Sequence, residues 1–405
     1  MSENSEKKGF TNFLQEFSIP LIAGVIAGLV AANIDEHMYH QVVDFPILGE
    51  GASIFGHKLT FHFLVNDIFM VLFFGVAAKE ITESVLPGGD LNPPSKAINP
   101  LLGTLGGVVG PVGVYLLLAW IFFDGHPDAA AVYNGWGVPT ATDIALAWLV
   151  ARLIFGKGHP AVNFLLLLAV ADDAIGLGII AVFYPNPDHP VAPIYLLVTL
   201  AGMGTAYALR RAKVNSWVPY VAVAGGLSWV GLILASLHPA LALVAIVPFM
   251  PAGDHEDTGL FDEGTSEHFA DSPLHNFEHD VKLVVDFGLF FFAFANAGVG
   301  FTSINAVTWI ILASLIIGKT LGITLFSGLG AKLGFPLPTG MGMKHLIASG
   351  VVAGLGLTVA LFVAGEAFPG DSAYQGPAKM GAVLSGGAAL LAFGLGKIWD
   401  LKGKA

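Results

Sequence analysis

Two adjacent aspartates, Asp172 and Asp173, lie near the middle of an otherwise uncharged apolar stretch, residues 161–183. That stretch is long enough to cross a bilayer, which takes roughly 20 residues of helix. Ionised carboxylates at such depth are costly and characteristically mark ion or proton paths. A carboxylate there holds a proton or coordinates a small hard cation through oxygen, and competition for the same oxygens suffices for exchange. Successive helical residues point about 100° apart, so the two aspartates cannot share one role. Asp143 follows the proline-containing segment Gly137-Val138-Pro139-Thr140-Ala141-Thr142, and Lys319 sits inside residues 306–326. Asp143 is either a further oxygen ligand or a compensating charge for interrupted helix ends. Lys319 is a natural partner for one of the adjacent aspartates.

Composition sets the frame for these charges. The chain of 405 residues is 55% hydrophobic and only 12% charged, with mean hydropathy +0.72. Soluble domains carry about 25% charged residues, so most of this chain has no water-facing surface to furnish. The 51 glycines suit close helix packing in lipid. A net charge of −12 argues against nucleic-acid binding. Without cysteine there are no disulfides, thiol nucleophiles or thiolate metal sites. No cofactor motif is evident.

Twelve candidate spans position the charges: residues 19–34, 61–78, 100–123, 142–155, 161–183, 193–208, 217–235, 239–250, 281–299, 306–326, 345–365 and 378–393. The fourth and eighth are shorter than a full crossing requires and are expected to be tilted or partly unwound. The expected fold is an all-α polytopic membrane protein with one transporter domain, residues 19–396, between tails 1–18 and 397–405. The first polar residues lack a signal-peptide core, so the first span is expected to be retained. With both termini in the cytoplasm, fifteen Lys and Arg fall on the cytoplasmic side and two outside, with Lys319 left in the membrane. That asymmetry follows the positive-inside rule.

Spans four and eleven are interrupted, by the Pro139 segment and by Gly350, Gly354 and Gly356. Each is the middle member of a triplet, spans 3–5 and 10–12. Interruptions at matching places in two halves are the pattern of inverted repeats, with the binding site where broken helices meet. Loop 35–60 is expected to form an extracytoplasmic hairpin. Loop 252–280 holds nine acidic residues and four histidines and reads as a solvated cytoplasmic loop. The irregular spacing of His255, His268, His275 and His279 does not preorganise a metal site. Asp67 and Glu80 lie near span ends, as solvated boundary residues do, and His238, before Pro239, is either a pH-sensing histidine or a plain interfacial one.

At Ala141-Thr142-Asp143-Ile144-Ala145, Asp172-Asp173 with Gly176 and Phe183-Tyr184, Phe292-Ala293-Phe294-Ala295-Asn296-Ala297-Gly298 and Ile317-Gly318-Lys319-Thr320-Leu321-Gly322-Ile323, the chain resembles the NhaA family of bacterial sodium/proton antiporters. The resemblance is collinear over nearly the whole length. It implies a transporter, not an enzyme, in the bacterial inner membrane. It further implies unwound, crossing helices four and eleven, electrogenic exchange of protons for outgoing Na⁺ or Li⁺, and a role in pH and sodium homeostasis. Asp173 matches the family's cation- and proton-binding aspartate, with Na⁺ held at Asp173 and Asp172. Asp172 matches the neighbour paired with the lysine, here Lys319, while Thr142 and Asp143 match residues adjoining the site. Asp67 matches a second-span acid. Glu80, His238 and Glu278 fall where the family has residues linked to pH response, and loop 35–60 corresponds to a homodimer contact. Gly75-Val76-Ala77-Ala78-Lys79-Glu80 and the added Glu366 depart from the family pattern.

Two rival readings stand beside this one. A sodium-coupled organic-anion symporter would want more Asn, Gln or Ser at the crossing. An intramembrane aspartyl protease would leave Lys319 beside the carboxylates hard to explain.

Overall fold

Within a hydrocarbon core no water meets the peptide groups, so long apolar runs satisfy their backbones internally as helices. The structure, a computed structural model, describes residues 18–49, 51–87, 89, 94–185, 190–252, 272–370 and 373–402. Most of the N-terminal tail lies outside these, as do His255 and His268.

Helix α1 covers Ile19–Ile34 and α2 Glu36–Val43. A small antiparallel hairpin follows, β1 (Ser53–Ile54) and β2 (His57–Lys58), with Ser53 opposite Lys58. Positive φ at both Phe55 and Gly56 is what a two-residue turn of this handedness requires. Helix α3 runs Phe61–Val85, α4 Pro94–Phe123, and α5 Ala129–Asn134 continues as a 3₁₀ turn to Thr140. Next come α6 (Ile144–Phe155), α7 (Pro160–Phe183), α8 (Leu196–Arg211) and α9 (Tyr220–Leu234). The last third holds α10 (Pro273–Ala297), α11 (Ala306–Lys332), α12 (Met343–Ala353), α13 (Thr358–Ala367), α14 (Gln375–Leu384) and α15 (Gly387–Trp399).

The all-α class is as expected. Among the described residues, five helical stretches are long and apolar enough to cross a membrane, or seven if each bent pair is one span. Helices α1 and α9 are apolar but shorter.

The eighth candidate span, expected to be either tilted or partly unwound, is the unwound case. Residues 239–250 form turns and two short 3₁₀ pieces, not an α-helix. Their backbone closes over three residues, as from Val244 N–H to Leu241 C=O at 3.0 Å and Met250 N–H to Val247 C=O at 2.9 Å. Pro248 removes a donor that an α-helix through this segment would need, whereas Pro239 stands at the first position, where none is needed. The segment is apolar because Leu243, Ile246 and Val247 are buried in a core with Tyr220, Leu274 and Phe277. The ninth helix also starts earlier than expected, at Pro273, so the end of loop 252–280 is helical.

The chain forms two compact units. One gathers Met1–Tyr39, Ile98–Gly176 and Leu289–Ala405; the other His40–Ala97 and Leu177–Gly288. The first contains both triplets expected from the sequence, except for residues 177–183 at the end of the fifth span. In each, the middle span is broken: α5 with its 3₁₀ extension meets α6 at 51°, and α12 meets α13 at 50°. Helices α4 and α11 touch backbone to backbone. A Cβ on Gly322 would lie 1.9 Å from the Gly106 carbonyl oxygen. Only glycine permits that approach, which brings Lys319 of α11 to the breaks.

Candidate functional site

A broken helix exposes unpaired N–H groups at one new end and unpaired carbonyls at the other. Here every such end that the site uses is met by a named group. Ala141 and Asp143 are extended. Asp143 Oδ1 accepts from Leu146 N–H at 3.0 Å, at the start of α6. Its Oδ2 accepts from Thr358 N–H at 3.3 Å, at the start of α13. Its own N–H donates to the Leu355 carbonyl at 2.6 Å. One carboxylate thus caps two helix N-termini, where negative charge is favoured. Both carboxylate oxygens of Asp143 are thus engaged by backbone N–H groups.

The opposite ends are served by donors. Lys319 Nζ donates to the Thr140 carbonyl at 2.7 Å and to Thr142 Oγ1 at 2.8 Å. Thr142 Oγ1 lies 2.7 Å from Asp172 Oδ2 and 2.9 Å from the Ala353 carbonyl at the end of α12. A hydroxyl has one proton, so it donates to one of these at a time. The Lys319 ammonium also pairs directly with Asp172 Oδ2. Asp172 and Lys319 are both 0% exposed.

Asp172 Oδ1 is buried and has no hydrogen-bond partner among the described residues. It faces Gly107 of α4, where a Cβ would lie 3.9 Å away. Asp173, 6% exposed, is within electrostatic reach of Lys319. The charges at this place are therefore two adjacent carboxylates and one ammonium, with Asp143 offset by two helix ends. When Asp173 is ionised, one negative charge is left over, the complement of one monovalent cation or one proton. The structure brings together Thr142, Asp172 and Lys319, with Asp143 capping beside them and Asp173 next in the chain.

The remaining expected residues belong to the second unit. Asp67 Oδ1 lies 3.9 Å from His238 Nε2. His238 Nδ1 accepts from Ala240 N–H at 3.3 Å, which leaves Nε2 toward Asp67. That pairing had no sequence signal. Lys79, buried, pairs with Glu83 at 2.6 Å and also with Glu278. Glu80 is within electrostatic reach of Glu278 and Lys79. The four-residue spacing of Lys79 and Glu83 is a helix-pair signature in the sequence.

A histidine pair in the first unit was also missed. The rings of His159 and His345 stack with centroids 4.8 Å apart. Burial pushes the His159 imidazole below the usual histidine range, and the neighbouring His345 adds to the effect.

Comparison with known proteins decides the family. The model of the family described as Na⁺/H⁺ antiporter 1 matches residues 10–399. The Na⁺/H⁺ antiporter NhaA of Geobacter sulfurreducens is 59% identical over 96% of this chain and 98% of its own. NhaA 1 of Pelobacter propionicus is 57% identical over 98% and 99%, and NhaA of a Jannaschia species 44% over 96% and 98%. The chain belongs to this antiporter family. It is a multi-pass membrane transport protein, and these relatives lend no support to the symporter or the protease.

Proposed function

We propose that this chain extrudes Na⁺ across the bacterial inner membrane in exchange for protons, electrogenically and by alternating access, in support of pH and sodium homeostasis. The observation that carries the reading is the buried Asp172–Lys319–Thr142 cluster between two broken helices, with Asp173 adjacent and Asp143 committed to capping.

In this mechanism Asp173 takes either the cation or a proton. Asp172 pairs with Lys319 while the ion is absent. A cation entering beside Asp173 draws on carboxylate oxygens, including the Asp172 Oδ1 that has no hydrogen-bond partner among the described residues. Na⁺ and Li⁺ are both small, hard and oxygen-seeking, so both are substrates on this account. Thr142 has donor and acceptor contacts within the cluster and shifts its one proton as the Asp172–Lys319 pair rearranges. Release of protons from one side and of Na⁺ to the other requires that the same carboxylates face each side in turn.

Three finer features belong to the same proposal. Both termini are cytoplasmic, supported by the fifteen-to-two distribution of basic residues. Loop 35–60 makes a homodimer contact through its hairpin, of which Ser53, Ile54 and Lys58 are exposed. Glu80, Glu278 and His238, with Asp67 facing His238, adjust the response to pH.

The test is antiport in everted membrane vesicles from a host lacking its own sodium antiporters. Respiration acidifies the lumen, Na⁺, Li⁺ or K⁺ is added, and a ΔpH dye is followed. Na⁺- and Li⁺-dependent recovery of the dye signal that disappears in Asp173→Asn supports the proposal. Recovery that persists in that variant contradicts the assignment of Asp173.

A further inference from the structure

The break between α12 and α13 contains a peptide group held from both sides. Its carbonyl belongs to Leu355 and accepts from Asp143 N–H at 2.6 Å. Its N–H belongs to Gly356 and donates to Ser385 Oγ at 3.2 Å. The peptide group is planar, so fixing both its oxygen and its hydrogen fixes the orientation of the whole plane. Leu355 is 1% exposed and Ser385 0%, so water is not at hand to replace either bond.

Ser385 is prepared for this contact by its own helix. It sits in the gap between α14 and α15, where the chain tightens: Ser385 N–H lies 3.2 Å from both the Gly381 and Ala382 carbonyls, and Gly386 N–H reaches Val383 at 3.1 Å. The Ser385 hydroxyl donates to the Ala382 carbonyl at 2.6 Å. Its proton is thereby directed back into α14, and its lone pairs are left to accept from Gly356. Gly356 in turn lies against the helix-four break: a Cβ there would be 3.1 Å from the Ala141 carbonyl oxygen. Ala141 directly precedes Thr142 and Asp143, so this peptide plane joins the last span to both breaks.

We propose that Ser385 is a positioning residue for the ion site: its hydroxyl locks the Leu355–Gly356 peptide plane, and through it the Ala141–Asp143 strand that carries Thr142 to Asp172. The inference rests on the proposed ion site, yet it concerns an uncharged residue that reaches that site only through one peptide plane. Removing the hydroxyl leaves Gly356 N–H buried and free to turn its peptide. Asp143 N–H then loses a fixed acceptor, and Thr142 loses its registration on Asp172 and Lys319. The consequence is weaker cation binding, with turnover little changed at saturating Na⁺.

The experiment compares full-length Ser385→Ala, Ser385→Thr and Asp173→Asn with the parent chain in proteoliposomes. It also follows hydrogen–deuterium exchange over residues 351–360. Ser385→Ala is expected to raise the apparent KM for Na⁺ by about tenfold, the scale of one buried hydrogen bond. Its maximal rate stays near the parent's, and exchange in that segment accelerates. Ser385→Thr retains a hydroxyl and is expected to restore both. An unchanged exchange rate in Ser385→Ala overturns the clamp, and faster exchange with an unchanged KM overturns its link to the ion. An active Asp173→Asn would overturn the ion-site assignment, a different result on a different variant.

Discussion

Two lysine–carboxylate clusters, one in each unit, use the same side chains under opposite conditions. Lys319 and Asp172 are 0% exposed. Lys79 is also buried, but the side chains of its partners Glu83 and Glu278 are 22% and 23% exposed. Lys319 completes its hydrogen bonding with neutral oxygens from the broken fourth span, Thr140 C=O and Thr142 Oγ1. Lys79 instead has two carboxylates. The first cluster is thus built so that loss of one charge leaves the other stranded, whereas the second has a reserve partner and access to water. A buried pair broken on one side is costly, while a partly solvated one is not. The first arrangement suits an ion that must be bound and released on demand, and the second suits graded adjustment.

That contrast can be broken by mutation. Asp172→Ala strands the Lys319 ammonium, and the expected effect is the largest, a stability loss of about 3–5 kcal/mol with loss of exchange. Thermal unfolding in detergent measures it, and an unchanged melting temperature would break the comparison. Thr142→Val keeps shape but removes a hydroxyl that serves Lys319, Asp172 and Ala353. A loss of about 1–3 kcal/mol is expected, with weaker Na⁺ binding in the same preparation. Glu278→Gln, in the other cluster, is expected to change stability by less than about 1 kcal/mol, because Glu83 remains 2.6 Å from Lys79. A loss as large as that of Asp172→Ala would erase the distinction between the clusters.

The smallest effect concerns the stacked histidines. His159 is shifted downward, first by burial and then by His345. The unfolded chain therefore binds a proton more readily than the folded one as pH falls through about 6.5. Stability is unaffected by this group at alkaline pH and declines on the acid side. His159→Gln is expected to flatten the acid limb of a melting-temperature profile taken over about pH 5 to 8. A steeper acid limb in the variant would contradict the direction of the shift.

Much of the proposed ion site was legible because charge in an apolar run is conspicuous. Asp172, Asp173 and Lys319 interrupt long hydrophobic stretches, and the Pro139 and Gly354–Gly356 interruptions mark the breaks. Thr142 was legible only through family resemblance, since a threonine carries no such signal. Residues 239–250 were ambiguous for a physical reason: apolar composition reports burial, and burial in a protein core and in lipid look alike over a short run. The Asp67–His238 and His159–His345 contacts join positions far apart in the chain, and nothing local announces them. Ser385 was invisible for a further reason. Its importance lies in one hydrogen bond to a backbone amide, and serine beside glycine reads simply as a helix irregularity.

The central claim is that Na⁺ and a proton compete for Asp173. The direct measurement is calorimetric titration of the purified protein with Na⁺ in two buffers of different ionisation enthalpy. Dependence of the binding heat on the buffer, signifying protons released as Na⁺ binds, is the predicted result, and it vanishes in Asp173→Asn. Na⁺ binding without proton release, or undiminished release in that variant, would contradict the account.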